Sequence, residues 1–213
     1  MKRFYCDEIF HIFNKSIAQF GIFKRASNCR RFISTLDYYN DLNLNKKFSE
    51  ALRKNQYTYK QNIIYPKSSA IIKIISYCIM PDHYHLLAKL ISDYSLSKYI
   101  SDVENSYSRF FNIKFKRKGP LWQGRFKTVK INTDEQLLHV SRYIHLNPTT
   151  AALVKKPEDW IFSSYREFIT NKKVLEKDFP EILIKSADNY KKFVENQKDY
   201  QRKLKLIQKR ILD

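Results

Sequence analysis

An apolar run rich in β-branched residues at 71–78 and a second apolar run at 83–90 are separated by Met80-Pro81-Asp82, a spacing that predicts a β-hairpin. A two-stranded hairpin is marginal on its own, so the flanking chain must supply the rest of a layer. Upstream, Ile-Phe-His-Ile-Phe at 9–13 reads as a strand, and residues 27–39 bring Cys29, Phe32, Ile33, Leu36 and Tyr39 round at helical spacing. Downstream, Leu96, Tyr99, Ile100, Val103, Tyr107, Phe110 and Phe111 recur at three- and four-residue steps and predict a helix that ends before Gly119-Pro120. Residues 125–131 then alternate basic and apolar side chains as a half-buried strand does, with Phe126, Val129 and Ile131 as its apolar contacts. The resulting β-α-β-β-α-β order predicts an α+β fold of the ferredoxin-like type, an antiparallel sheet with helices on one face.

Thr133-Asp134-Glu135-Gln136 has capping-box spacing and predicts a further helix, expected to stop at Asn147 because the residue before a proline disfavours the α region. Residues 40–70, rich in Asn and Lys, read as an insertion with one short helix around Phe48 and Leu52. From Tyr190 to Ile211 a narrow apolar stripe runs through a Lys-rich helix. The expected organisation is therefore a main domain over 1–150 and a basic helical extension over 151–213, within the length of one domain plus an appendage.

Forty Lys and Arg against 21 Asp and Glu leave a formal charge of +19, which points to a polyanionic partner. With 43% hydrophobic residues the chain can build a core, unlike a disordered basic tail. Only 3 glycines leave no room for a Gly-rich phosphate loop, so neither an ordinary nucleotide-binding enzyme nor a small-molecule cofactor is expected. Cys6, Cys29 and Cys78 are odd in number and far apart, which fits reduced thiols and no zinc ribbon. The longest apolar run, 70–80, is interrupted by Lys73 and too short to span a bilayer, and Asp7 and Glu8 stand where a signal peptide needs apolar residues. The expected location is the cytoplasm, away from any membrane.

His83-Tyr84-His85 is the sharpest local feature, because residues i and i+2 of a strand point to one face and two imidazoles can converge on a cation. Taken alone, such a pair is more often structural. A third, oxygen ligand would bias it towards Mg or Mn, and the helix after Thr133 offers one: Tyr143 and Asn147 are four apart and share a face with His139. Tyrosine can attack a phosphodiester and conserve the ester as phosphotyrosine, and a metal that polarises phosphate compensates for a phenol pKa near ~10. Between residues 105 and 133 lie eight basic residues, Arg109, Lys114, Lys116, Arg117, Lys118, Arg125, Lys127 and Lys130, with six interleaved aromatics and no acid. That mixture suits a nucleic-acid groove, with Trp122 available to stack on unpaired bases.

Three blocks, Met80-Pro81-Asp82-His83-Tyr84-His85-Leu86-Leu87, Gly119-Pro120-Leu121-Trp122-Gln123-Gly124-Arg125-Phe126-Lys127 and Arg142-Tyr143-Ile144-His145-Leu146-Asn147-Pro148, resemble the REP-associated tyrosine transposases, single-tyrosine HUH endonucleases. The resemblance covers about residues 5–167, including His11-Ile12-Phe13-Asn14, Trp160 and Ser163-Ser164-Tyr165. It implies His83 and His85 as metal ligands, Asn147 as the third ligand and Tyr143 as nucleophile, with Gln123 and Arg142 joining the basic segment in DNA binding. It also implies an insertion-sequence-like fold and cleavage of single-stranded DNA near hairpin-forming palindromic repeats, giving a 5′-phosphotyrosine and a 3′-OH with Mg or Mn. The chain departs from the pattern at Asp82, where Asn is usual, and at Thr149-Thr150-Ala151-Ala152, which replaces a segment commonly containing Arg and Gly.

The leading expectation is thus a metal-dependent tyrosine endonuclease and strand transferase. A catalytically inactive DNA-binding protein of the same fold and a metal-dependent phosphodiesterase that uses water are the alternatives. One complete site needs no second copy, so a monomer is expected. The tail after about residue 170 is open between a hairpin clamp, a dimer element and a packing helix.

Overall fold

The computed structural model describes residues 4–58, 63–64, 66–170, 182–184 and 186–196, which form two compact units. The first unit comprises residues 1–75 and 79–130, and the second residues 76–78 and 131–213. Strands β1 (Ile9–Lys15), β2 (Ile72–Ile79), β3 (His83–Leu90) and β4 (Lys127–Ile131) form one sheet in the order β2-β3-β1-β4. Helix α1 (Ala26–Tyr39) joins β1 to β2 and α3 (Leu96–Lys114) joins β3 to β4, each crossover skipping one strand. This is the ferredoxin-like arrangement that the element order predicts.

An aromatic cluster holds α1, α3 and β3 together. Phe32 lies 5.0 Å from Tyr84 and 5.1 Å from Tyr107 between ring centroids, and Phe23 lies 4.8 Å from Phe32. The phenols that this buries still find acceptors, with Tyr99 donating to Leu36 O and Tyr107 to Ile22 O, both at 3.0 Å. Tyr84 therefore faces the helices, and the alternation of a strand turns His83 and His85 to the opposite face of the sheet.

The insertion leaves and re-enters at a closed neck. Asn40 Oδ1 accepts from both Ile71 N and Ile72 N at 2.9 Å, and Leu42 N donates to Ser69 O at 2.8 Å. Within it, the short helix α2 (Phe48–Arg53) forms where the sequence predicts one, and Phe48 and Ala51 make a small separate core with Tyr38.

In the second unit, helix α4 (Asp134–Thr150) starts as predicted, with Thr133 Oγ1 accepting from Gln136 N and Gln136 Oε1 accepting from Asn132 N. Its expected end at Asn147 is corrected: the helix runs through Pro148 to Thr150. The last turn closes without the proline N–H, because Ala151 N donates to Asn147 O at 2.9 Å and Leu153 N to Pro148 O at 3.0 Å. The boundary drawn from the sequence at 150 separates α4 from the later helices, whereas the compact units group α4 with α5 (Tyr165–Thr170) and α6 (Ala187–Glu195). The basic stripe beyond residue 196 lies outside the described residues.

Strand β4 is shorter than expected, starting at Lys127. Val129 is 46% exposed, so of the apolar contacts expected along this strand only Ile131 is buried. β4 lies at one edge of the sheet.

Candidate active site

The first group of site residues belongs to the sheet. Antiparallel register sets Phe13 opposite His85 and His11 opposite Leu87, so His11, His83 and His85 share the face turned away from α1 and α3. His83 Nδ1 lies 2.7 Å from Asp82 Oδ1, and His85 Nδ1 lies 2.9 Å from His11 Nε2. Each of the two expected metal-binding imidazoles thus has its Nδ1 engaged. Their ring centroids are 5.0 Å apart.

Burial holds His85 neutral, its pKa pushed well below the ordinary imidazole range by desolvation first and then by His83 and His11. Desolvation likewise pushes His11 down to about 4. Neutral imidazole is the form that coordinates a metal. The hydrogen bond from His83 is the main reason that the Asp82 carboxyl sits below the usual range, so this side chain is anionic. Among the described residues no three His, Cys, Asp or Glu side chains are placed to hold one ion. Two imidazoles alone would need oxygen donors from elsewhere to hold a hard ion.

Tyr143 and Asn147 form the second group, on α4. Asn147 Nδ2 donates to Tyr143 O at 3.0 Å, which leaves its Oδ1 as the amide's acceptor atom. Tyr143 is 41% exposed, yet desolvation raises its phenol above the ordinary range, partly offset by a hydrogen bond from Asn147. The shared face read from the sequence is real for this pair. His139, one turn earlier, accepts at Nδ1 from Arg142 Nη2 at 2.6 Å.

His145, inside the same motif, has a structural place. Its Nδ1 lies 2.9 Å from Tyr190 Oη and its Nε2 2.9 Å from Ser164 Oγ, and Tyr190 donates onward to Ser141 Oγ at 3.0 Å. Fully buried, it is pushed down to about 3 by desolvation.

The basic segment divides by what each cation touches. Arg109, Lys116, Lys118, Arg125 and Lys127 are exposed, with no side-chain partner among the described residues. Lys114 Nζ donates to Asn28 Oδ1 at 2.9 Å, Lys130 pairs with Glu8, and Arg117 donates to Asn112 Oδ1, Gly119 O and Pro120 O, bracing the turn before the Trp122 block. Arg142 departs furthest from the expected DNA contact: it is 9% exposed and its guanidinium lies 4.2 Å from the centre of the Phe193 ring.

Trp122 is also placed differently from a free stacking platform. Its ring lies 5.6 Å from Tyr84 and 5.9 Å from Phe32, and Nε1 donates to Glu104 O at 3.2 Å. Glu104 Oε1 in turn accepts from Tyr84 Oη and Asn14 Nδ2, both at 2.8 Å, and Asn14 Nδ2 also reaches Gly124 O. This buried network anchors the segment, while Gln123 itself is exposed and its backbone N donates to Lys15 O at 2.9 Å.

Sequence reasoning does not single out His11 as a site residue. Its place at the third position of Ile-Phe-His-Ile-Phe fixes its face relative to Phe13, but only the β1–β3 register shows that it reaches His85.

A family model described as transposase, IS200 like, matches residues 45–147, a span that contains His83, His85, Tyr143 and Asn147. Over that span the chain is similar to the IS200-like class of DNA transposases. The chain is 24% identical over 137 residues to the REP-associated tyrosine transposase of Escherichia coli K12, covering 64% of this chain and 80% of that one. It is 29% identical over 101 residues to a Haemophilus influenzae protein assigned to the same group, covering 43% of this chain and 57% of the relative. A solved REP-associated tyrosine transposase bound to a REP hairpin shares the fold, with a TM-score of 0.56 at 16% identity over 80% of this chain and 85% of that one. These comparisons make the chain similar to the REP-associated tyrosine transposases, the group its three motif blocks also resemble. Among the described residues no helix is long and apolar enough to cross a membrane.

Proposed function

We propose that the chain cuts and transfers single-stranded DNA beside hairpin-forming palindromic repeats, with Tyr143 as the nucleophile and a divalent ion, Mg or Mn, as cofactor. The observation that supports this reading is that His83 and His85 share one sheet face, with Asp82 and His11 engaging their Nδ1 atoms. The resemblance would add the amide oxygen of Asn147, and two imidazoles with oxygen donors are a set that fits a hard divalent ion. Bound there, the ion would polarise the scissile phosphate. The Tyr143 oxygen attacks phosphorus, the bond from phosphorus to the 3′ oxygen breaks, and the leaving oxygen takes a proton to become a 3′-OH. The 5′ phosphate stays on tyrosine, so the ester is conserved for rejoining. The hairpin bound to the solved relative supports the choice of substrate. A monomer acting in the cytoplasm is the working unit of this proposal.

A denaturing gel of a hairpin oligonucleotide labelled on the 5′-phosphate side of the cut tests it. The expected result is a protein-linked band that Tyr143→Phe abolishes and that His83→Ala abolishes while DNA binding persists. Free cut product without adduct would assign the attack to water, and binding without cutting would make the protein a binder only.

A further inference from the structure

The first unit carries a cleft of about 870 Å³ that none of the motif residues uses. It lies among α1, α3 and the insertion, on the helix-bearing side of the sheet, away from the face that holds His83 and His85. Six basic side chains line it, Arg31, Lys46, Lys47, Lys98, Arg109 and Lys114, against two acidic ones, Asp41 and Asp102.

Neither acid offsets the rest. Asp102 is paired with Lys98 at 2.8 Å, while Asp41 accepts from Ser69 Oγ at 2.8 Å and faces Lys67, 3.7 Å away. Arg31 is 9% exposed, and its guanidinium is held against two rings, 4.1 Å from the centre of Phe48 and 5.0 Å from that of Phe110. Such packing fixes the cation in place before any ligand arrives. Lys47 and Arg109 are exposed and have no side-chain partner among the described residues, and Ile113, 73% exposed, adds an apolar wall.

We propose that this cleft takes a single-stranded stretch of DNA next to the hairpin, its phosphates on Arg109 and Lys47 and an unstacked base laid against Phe110 and Ile113. Charge selects the class of ligand: a surplus of fixed cations beside aromatic and aliphatic surface matches a phosphodiester chain with exposed bases. A duplex stem presents phosphates but keeps its base faces stacked, so it would leave the apolar wall unused. The inference rests on DNA being the substrate and adds a second contact region contributed by the chain's own insertion.

The test uses full-length protein carrying Tyr143→Phe, so that binding is read without cutting, and two labelled probes, a blunt hairpin and the same hairpin with a ten-nucleotide single-stranded tail. Lys47→Ala with Arg109→Ala is expected to weaken the tailed probe about tenfold and the blunt probe less than twofold. It should also reduce the salt slope for the tailed probe by about 1.4, since each phosphate left unneutralised on a single strand removes about 0.7. Both side chains are exposed, so an unchanged melting temperature is expected. Unchanged tail affinity and slope would overturn the proposal, as would equal losses on both probes. Failure of the parent protein to bind either probe would instead overturn the DNA reading itself.

Discussion

Asp82 Oδ1 stands 2.7 Å from His83 Nδ1, so one of the two places where this chain departs from the pattern it resembles is the residue that orients its first site histidine. An anionic acceptor on Nδ1 fixes the tautomer that offers Nε2 and makes that nitrogen a stronger donor. Asp82→Ala is therefore expected to weaken Mn²⁺ binding about 10–100-fold, measured by calorimetry on the full chain without DNA. Asp82→Asn, which keeps an accepting oxygen but loses the charge, should fall between the two. Equal affinity in all three proteins would remove the carboxylate from the site.

Glu104 gives a prediction about stability. Desolvation pushes its carboxyl up to about 7, against hydrogen bonds from Asn14 and Tyr84 that act the other way. A raised pKa means that the folded state favours the protonated form. The stability this contributes is complete below the unfolded value of 4.5 and is lost as pH rises through about 7. The full difference is about 3 kcal/mol, since each tenfold change in the acidity constant corresponds to about 1.4 kcal/mol. Glu104→Gln keeps an oxygen for Asn14 and Tyr84 and has nothing to ionise. Urea unfolding at pH 5 and pH 8 should show wild type losing more stability than the variant, and parallel losses would contradict the buried-acid reading.

His145→Ala should unfold the second unit more easily and leave metal affinity alone. The change removes one hydrogen bond each from Tyr190 Oη and Ser164 Oγ, which keep Ser141 and the Tyr77 backbone as partners, at about 0.5–1.5 kcal/mol per bond, and opens a cavity in a buried site at a further cost of about 2 kcal/mol or more. A drop of roughly 10 °C in melting temperature is the expected scale for a chain of this size. A drop under about 2 °C would mean that water or repacking replaces the ring.

How much of the fold and site is legible in the sequence depends on the range of the physics involved. The hairpin, α1, α3 and the start of α4 follow from local periodicity and capping, and local rules read them to within a residue or two. Pro148 shows a local rule overridden, because a helix in its last turn has only a few bonds left for a proline to remove. Residue type reads Trp122 as DNA-facing and the resemblance reads Arg142 so, but burial is decided by distant partners: Phe32, Tyr84 and Glu104 for one, Phe193 for the other. The contact of His11 with His85 needs strand register, which alternation alone does not supply.

The same sorting of cations sets the salt dependence of DNA binding. Eight basic residues between 105 and 133 would suggest up to eight phosphate contacts, but Lys114, Arg117 and Lys130 already hold protein partners. Arg109, Lys116, Lys118, Arg125 and Lys127 remain, and five contacts to a single strand give a log–log slope of about −3.5. Arg125→Ala with Lys127→Ala, both exposed, should lower the magnitude of that slope by about 1.4 and leave the melting temperature unchanged. Arg142→Ala should do the reverse, since its guanidinium packs on Phe193 and hydrogen-bonds His139 inside the second unit. Titrations of labelled single-stranded DNA at several salt concentrations, paired with melting curves, separate the two behaviours. A slope that falls on loss of Arg142 and ignores Arg125 and Lys127 would show that DNA engages the second unit and not the start of β4.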